Sequence, residues 1–250
     1  MRFTGWRELV PLIRLSWVPA LLLPLVGVAA LGAQAPVATP RTILYPQAIR
    51  PWSTQTAIGF SLIAMPADIV QEAAPLRWPL FNFDIVMGLP KNFLLAGAVS
   101  SQIVSNQIEA SAHWTSKLTQ QLHADLGAGG SYWFGQLKVT PFNNTIHGTF
   151  LYPSVSLGYD FGTLAITAQA KGSIIGSLSG HSGSLEAVSA KNQYNGTAFR
   201  LSIEQPYSKS SSIGLSLQMN HMQFYYPQWP LFPTFSARYW IPEVQIRWTH

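Results

Sequence analysis

Histidine and carboxylate side chains are scarce in this chain, so the places where they gather stand out. Glu109, His113, His123 and Asp125 lie within seventeen positions of one another. Two neighbouring strand-like segments, 107–117 and 121–134, carry all four on their polar phase. Imidazoles and carboxylates so placed can ligate a metal or share protons. They can also form a hydrogen-bonded set, because buried charges are normally paired. That second reading is preferred, and neither a metal nor a cofactor is assigned. Gly180-His181-Ser182-Gly183-Ser184 fails the Gly-x-Ser-x-Gly nucleophile pattern at Ser184, and it sits in a Gly/Ser-rich connection, not at a strand-to-helix turn. His221-Met222-Gln223 puts a glutamine near a histidine where a nucleophile would be needed. No catalytic residue is assigned. Tyr225, Tyr226 and Trp229, with Phe232 and Phe235, form an aromatic run. It is read first as a belt at the headgroup level of a membrane, and otherwise as an outer-loop surface for a sugar or a protein.

The elements that position these residues are strands. Residues 81–89 place Phe81, Phe83, Ile85, Met87 and Leu89 on one face and Asn82, Asp84, Val86 and Gly88 on the other. A period of two marks a half-buried strand. Ten such segments are expected, at 54–64, 81–89, 93–104, 107–117, 121–134, 149–160, 163–171, 196–205, 212–224 and 239–248. Gly127, Gly129 and Gly130 suggest a bend or bulge in the fifth. Residues 135–148 read as a loop. The Gly/Ser-rich stretch 172–195 is either a mobile loop or a prolongation of the strands beside it.

The charges sort by face. Asp84, Glu109, Asp125, Lys171, Arg200, Glu204, Glu243 and Arg247 all fall on the polar phase, with His113 and His123. No ionised residue falls mid-strand on the apolar phase of these segments. A lipid-facing Lys or Arg costs about 2–4 kcal/mol at mid-depth, so that arrangement suits a sheet with lipid on one side and a wet lumen on the other. The inward set of five acids and three bases nearly neutralises itself, and Asp84 needs a cationic or hydrogen-bonding neighbour. Short connections after even-numbered strands and long ones after most odd-numbered strands complete the pattern of an antiparallel up-and-down transmembrane barrel of about ten strands.

Composition agrees. Only 10% of the 250 residues are charged, against about 25% in typical soluble domains. There is no cysteine, hence no disulfide framework. No basic run interleaved with aromatics indicates nucleic-acid binding. Residues 1–35 hold Arg2, Arg7 and Arg14, then an apolar run and small residues, the order of a secretory signal peptide. The chain is thus divided into a signal peptide (1–35), an extended Pro-rich lead-in (36–53) and a barrel domain (54–250).

These features together resemble a bacterial outer-membrane β-barrel protein, at the level of the class. The resemblance implies an outer-membrane location, contact with outer-membrane lipids and insertion by the barrel-assembly machinery. Such proteins commonly end on an aromatic residue with a glycine a few positions earlier; here Trp248 lies two residues from the end, and Glu243 stands where the glycine is expected. The function expected is non-enzymatic: a structural or surface-binding barrel, or a narrow passage for small solutes. Two alternatives are an outer-membrane lipid or peptide hydrolase using His113, His123 or His221, and a soluble periplasmic lipid-binding barrel with its apolar phase inward. For the first, outer-membrane lipid deacylases are similar in pairing a His with a Ser two residues on and a carboxylate. Gln223 takes the serine's place after His221.

Overall fold

A computed structural model describes residues 42–64, 79–102, 104–139, 142–208, 210–227 and 237–250. The signal-peptide reading of 1–35, the connection 65–78 and Trp229, Phe232 and Phe235 lie outside these residues. Ten strands follow one another: β1 (Thr54–Ile63), β2 (Leu80–Gly88), β3 (Phe93–Gln102), β4 (Ser105–Lys117), β5 (Leu122–Val139), β6 (Phe142–Asp160), β7 (Ala165–Ser182), β8 (Leu185–Pro206), β9 (Ser212–Met222) and β10 (Tyr239–Thr249). Each pairs antiparallel with its sequence neighbour, and β1 pairs with β10 to close the barrel. The seam runs to the last residue, where the His250 N–H donates to the Thr56 carbonyl at 2.8 Å. Closure matters because an open sheet edge has no water to satisfy it in hydrocarbon.

The apolar phase faces outward. Ile58 is 54% exposed and Leu126 57%, and Phe60, Phe81, Phe83, Leu157, Phe199, Leu201 and Leu217 share that surface. Phe60 meets Phe81 and Trp248 edge-on across the β2–β1–β10 seam. A soluble protein rarely leaves an apolar patch of more than about a few hundred Å² in water. The orientation is opposite to that of a soluble lipid-binding barrel, which corrects that alternative.

Strands β5 to β8 run further than the alternation suggested. Of the expected loop 135–148, the described residues 135–139 and 142–148 are instead the facing ends of β5 and β6, and 172–195 prolongs β7 and β8 on both sides of Gly183-Ser184. The long-loop pattern therefore fails at these two connections. The reason lies in the faces, which exchange character here. Outward positions become polar (Gln136, Lys138, Thr145, His147, Ser177, Ser179, Lys191), and inward positions become apolar. Trp133, Ile146, Phe150, Ile175, Leu178 and Phe224 form a buried cluster inside this far end. Shifts of register at Thr149/Phe150, Ser173/Ile174 and Gly180/His181 adjust the pairing. A strand that leaves the lipid can obey the ordinary rule of apolar inside and polar outside. Gly127, Gly129 and Gly130 make no bulge, since β4 and β5 pair through them without a register shift.

Candidate functional site

The lumen is the site, and its middle is polar. Arg247 on β10 reaches over β1 to Asp84 on β2, Nε to Oδ2 at 2.8 Å. Its register partner is Gly59, where a Cβ would lie 2.9 Å from the Arg247 Cγ and 2.4 Å from the Ile246 carbonyl. The missing side chain lets the arginine lie flat across the strand. Lys171 on β7 meets both Glu109 oxygens at 2.7 and 2.8 Å and sits 4.2 Å from the Tyr152 ring centre. Arg200 donates to the side-chain amide oxygen of Gln169. Glu243, 2% exposed, accepts from Gln245 at 2.6 Å and from the Tyr225 hydroxyl.

Two histidines are engaged differently. His113 Nδ1 lies 3.0 and 3.1 Å from the Asp125 oxygens, and its Nε2 lies 2.9 Å from the Ser111 hydroxyl. A carboxylate can only accept, so Nδ1–H donates to Asp125; in the neutral ring, Nε2 then accepts from Ser111. Room for both side chains comes from β5, whose Gly127 and Gly129 stand opposite His113 and Ser111. A Cβ at Gly127 would fall 2.4 Å from the ring nitrogen, and one at Gly129 would fall 2.6 Å from the Ser111 Cβ. His123 is held by the Tyr45 hydroxyl, which donates to the Gln121 carbonyl at 2.9 Å.

That tyrosine belongs to residues 42–50, which enter the lumen at the end where the chain makes its short turns. Glu204 on β8, 1% exposed, holds this segment by its backbone. Its two oxygens accept from the N–H groups of Ile43, Leu44 and Tyr45 at 2.9, 3.0 and 2.8 Å. Gly158 leaves space for Tyr45 and Pro46, since a Cβ there would come within 2.4 Å of the proline ring. Burial and the nearby Asp160 carboxylate push the Tyr45 phenol up to about 12, so it stays a donor.

At the opposite end Phe224, Tyr225 and Tyr226 turn inward. Asn195 brackets Phe224, with its side-chain N–H donating to the Phe224 carbonyl at 2.9 Å and its oxygen accepting from the Phe224 N–H at 2.8 Å. The Ser105 hydroxyl donates to the Tyr226 carbonyl at 2.9 Å. Tyr225 is 6% exposed. Tyr225 and Tyr226 are therefore neither a headgroup belt nor an outer binding surface; Tyr225 can bury its ring here because its hydroxyl donates to the Glu243 carboxylate. Between the two ends lies a cavity of about 240 Å³, lined by Asp84, Glu109, Ser111, His113, Lys171 and Arg200 among others.

No protein-family model matches the chain, and no curated protein matches it. In fold it is similar to solved outer-membrane β-barrels. These include the NanC porin (8% identity, TM-score 0.41, covering 78% of this chain and 98% of that one) and an outer membrane channel from Pseudomonas putida F1 (8%, 0.41, 82% and 97%). LpxR from Salmonella typhimurium is a third (11%, 0.37, 77% and 99%).

All ten ionisable residues singled out in the sequence sit on inward positions. The structure groups them as Asp84 with Arg247, Glu109 with Lys171 and His113 with Asp125. Glu204 and His123 serve the inserted segment instead, and Arg200 and Glu243 bind amides. Among the described residues no three His, Asp or Glu side chains converge as metal ligands would. His221 lies on the outward phase, stacked on Trp240 at 4.5 Å. Sequence reasoning missed the role of residues 42–50, because Pro46 and Pro51 mark only an extended segment. It also missed Ser111, although a serine two residues before an inward histidine, facing two inward glycines, is a readable signal.

Proposed function

We propose that this protein spans the bacterial outer membrane as a narrow passage for small solutes, closed in this conformation by its own residues 42–50. The observation that carries the reading is the Glu204 bracket: one buried carboxylate accepts three backbone N–H groups of a segment that has no strand ladder of its own. The segment enters the mouth of a polar cavity. Ionised side chains are costly to enclose, and a purely structural barrel could fill its lumen with apolar residues. The outward apolar surface supports the membrane location, and with it the contact with lipid and the dependence on barrel-assembly machinery. A lipid-directed hydrolase is the weaker reading, because the acyl chains of a membrane lipid meet the outward face. There His221 is stacked on Trp240 and Gln223 is no nucleophile.

Single-channel recording in planar bilayers tests this. Wild type is expected to conduct rarely, and Glu204→Gln to show frequent discrete openings. A glutamine offers one acceptor oxygen in place of two. Each hydrogen bond to a charged group contributes about 1.5–3 kcal/mol, so the open fraction should rise on the order of ten- to a hundredfold. If neither Glu204→Gln nor a chain lacking residues 42–50 conducts, the passage reading is wrong and a structural barrel remains.

A further inference from the structure

We propose that Ser111, His113 and Asp125 form a nucleophilic site inside the lumen, acting on small acyl esters that enter the cavity. The inference goes beyond the passage reading and does not rest on it. Three observations carry it. The order of contacts is serine hydroxyl to Nε2 at 2.9 Å and Nδ1 to carboxylate at 3.0 Å, which is the base–nucleophile–orienter relation of acyl-transfer sites. The ring is fixed in that orientation, since Gly127 admits it over β5, and Asp125, 4% exposed, is itself held by the Ser156 hydroxyl at 3.4 Å. All three side chains line the same cavity of about 240 Å³, which has room for a substrate the size of an aryl acetate. The preceding inward position on β4 is Glu109, which holds Lys171 at 2.7 Å, and this ion pair lines the same cavity.

The chemistry balances without a cofactor. The Ser111 oxygen attacks the ester carbonyl as its proton passes to His113 Nε2. The tetrahedral intermediate collapses, the ester C–O bond breaks, and His113 returns that proton to the departing alcohol. A water then gives a proton to Nε2 as its oxygen attacks the acyl-serine. Collapse releases the carboxylic acid, and His113 gives the proton back to Ser111. Ser111 and His113 are the catalytic residues; Asp125 positions the ring.

The test uses the full chain, refolded in detergent, with folding read by heat-modifiable migration. Phenylmethylsulfonyl fluoride is the probe. Ser111 would form an O–S bond, fluoride would leave, and mass spectrometry would place the adduct on the peptide containing Ser111. p-Nitrophenyl acetate gives the rate. Ser111→Ala is expected to remove both signals. His113→Gln is expected to slow labelling by about a hundredfold or more while Ser111 remains. Asp125→Asn is expected to change the pH profile of the rate as well as its size, which a merely structural role would not do. The same measurements on a chain lacking residues 42–50 control for access. A folded barrel that forms no adduct at Ser111 in either chain overturns the proposal, as does labelling that persists unchanged in Ser111→Ala. The three residues are then a packing network.

Discussion

Each inward charge is answered by a particular neighbour, and the answers differ in what they do. Asp84 and Arg247 hold β2 to β10 over the gap left by Gly59. Asp84→Asn should leave insertion intact, because an amide oxygen still accepts from the guanidinium. Its thermal transition should fall, since breaking a buried pair costs up to about 3–5 kcal/mol when a charge is left alone; a melt followed by heat-modifiable migration measures it. Tyr45 gives a pH dependence with a definite sign. Its folded value of about 12 lies above the ordinary 10, so the neutral phenol is the form that docks. The stabilisation is complete below about pH 10 and is lost as pH rises through about 12. Openings in single-channel records should increase over that window in wild type, and Tyr45→Phe should lack this increment. An unchanged wild-type record from pH 9 to pH 12 would remove Tyr45 from the closure.

The strands explain why one substitution should have opposite consequences at two heights. Leu201 on β8 faces outward within the apolar band, and Ser179 on β7 faces outward beyond it. Leu201→Arg should abolish or sharply reduce membrane insertion, at a cost of about 2–4 kcal/mol near mid-depth, whereas Ser179→Arg should insert normally. Recovery in the detergent-extracted membrane fraction distinguishes them, and equal recovery would place the lipid boundary elsewhere. The existence and order of all ten strands were legible, and so was the inward phase of all but β3, whose residues 93–102 are small or apolar on both faces; period-two segments with their charges on one phase have few other solutions. The lengths of β5 and β6 were not, and for β7 and β8 the prolongation through 172–195 was one of two open readings. Residues 135–148 and 172–195 lack the greasy outer row that marks a membrane strand, and the Pro141 and two asparagines of the first and the serines and glycines of the second resemble loop composition. In fact Ile146, Ile175 and Leu178 point in while Ser177 and Ser179 point out. Likewise, Gly127 and Gly129 looked like a bend and are clearances for His113 and Ser111. Proximity of His113 to Asp125 could be read from adjacent strands; the Glu204 bracket could not, since it joins positions 159 to 161 residues apart.

The described residues make a barrel that is apolar outside, polar within its middle, and occupied by its own chain at both ends. The membrane passage proposed for it depends on the outward phase meeting lipid. The chain has no cysteine, so single cysteines can be placed anywhere without background labelling. The most direct measurement is spin-label accessibility along β2 in lipid bilayers, with cysteine at each position from 81 to 87. Labels at 81, 83 and 85 should collide mainly with dissolved oxygen, and labels at 82, 84 and 86 should be shielded from it. A uniform response along the strand, or the opposite alternation with 82, 84 and 86 in lipid, would contradict the account.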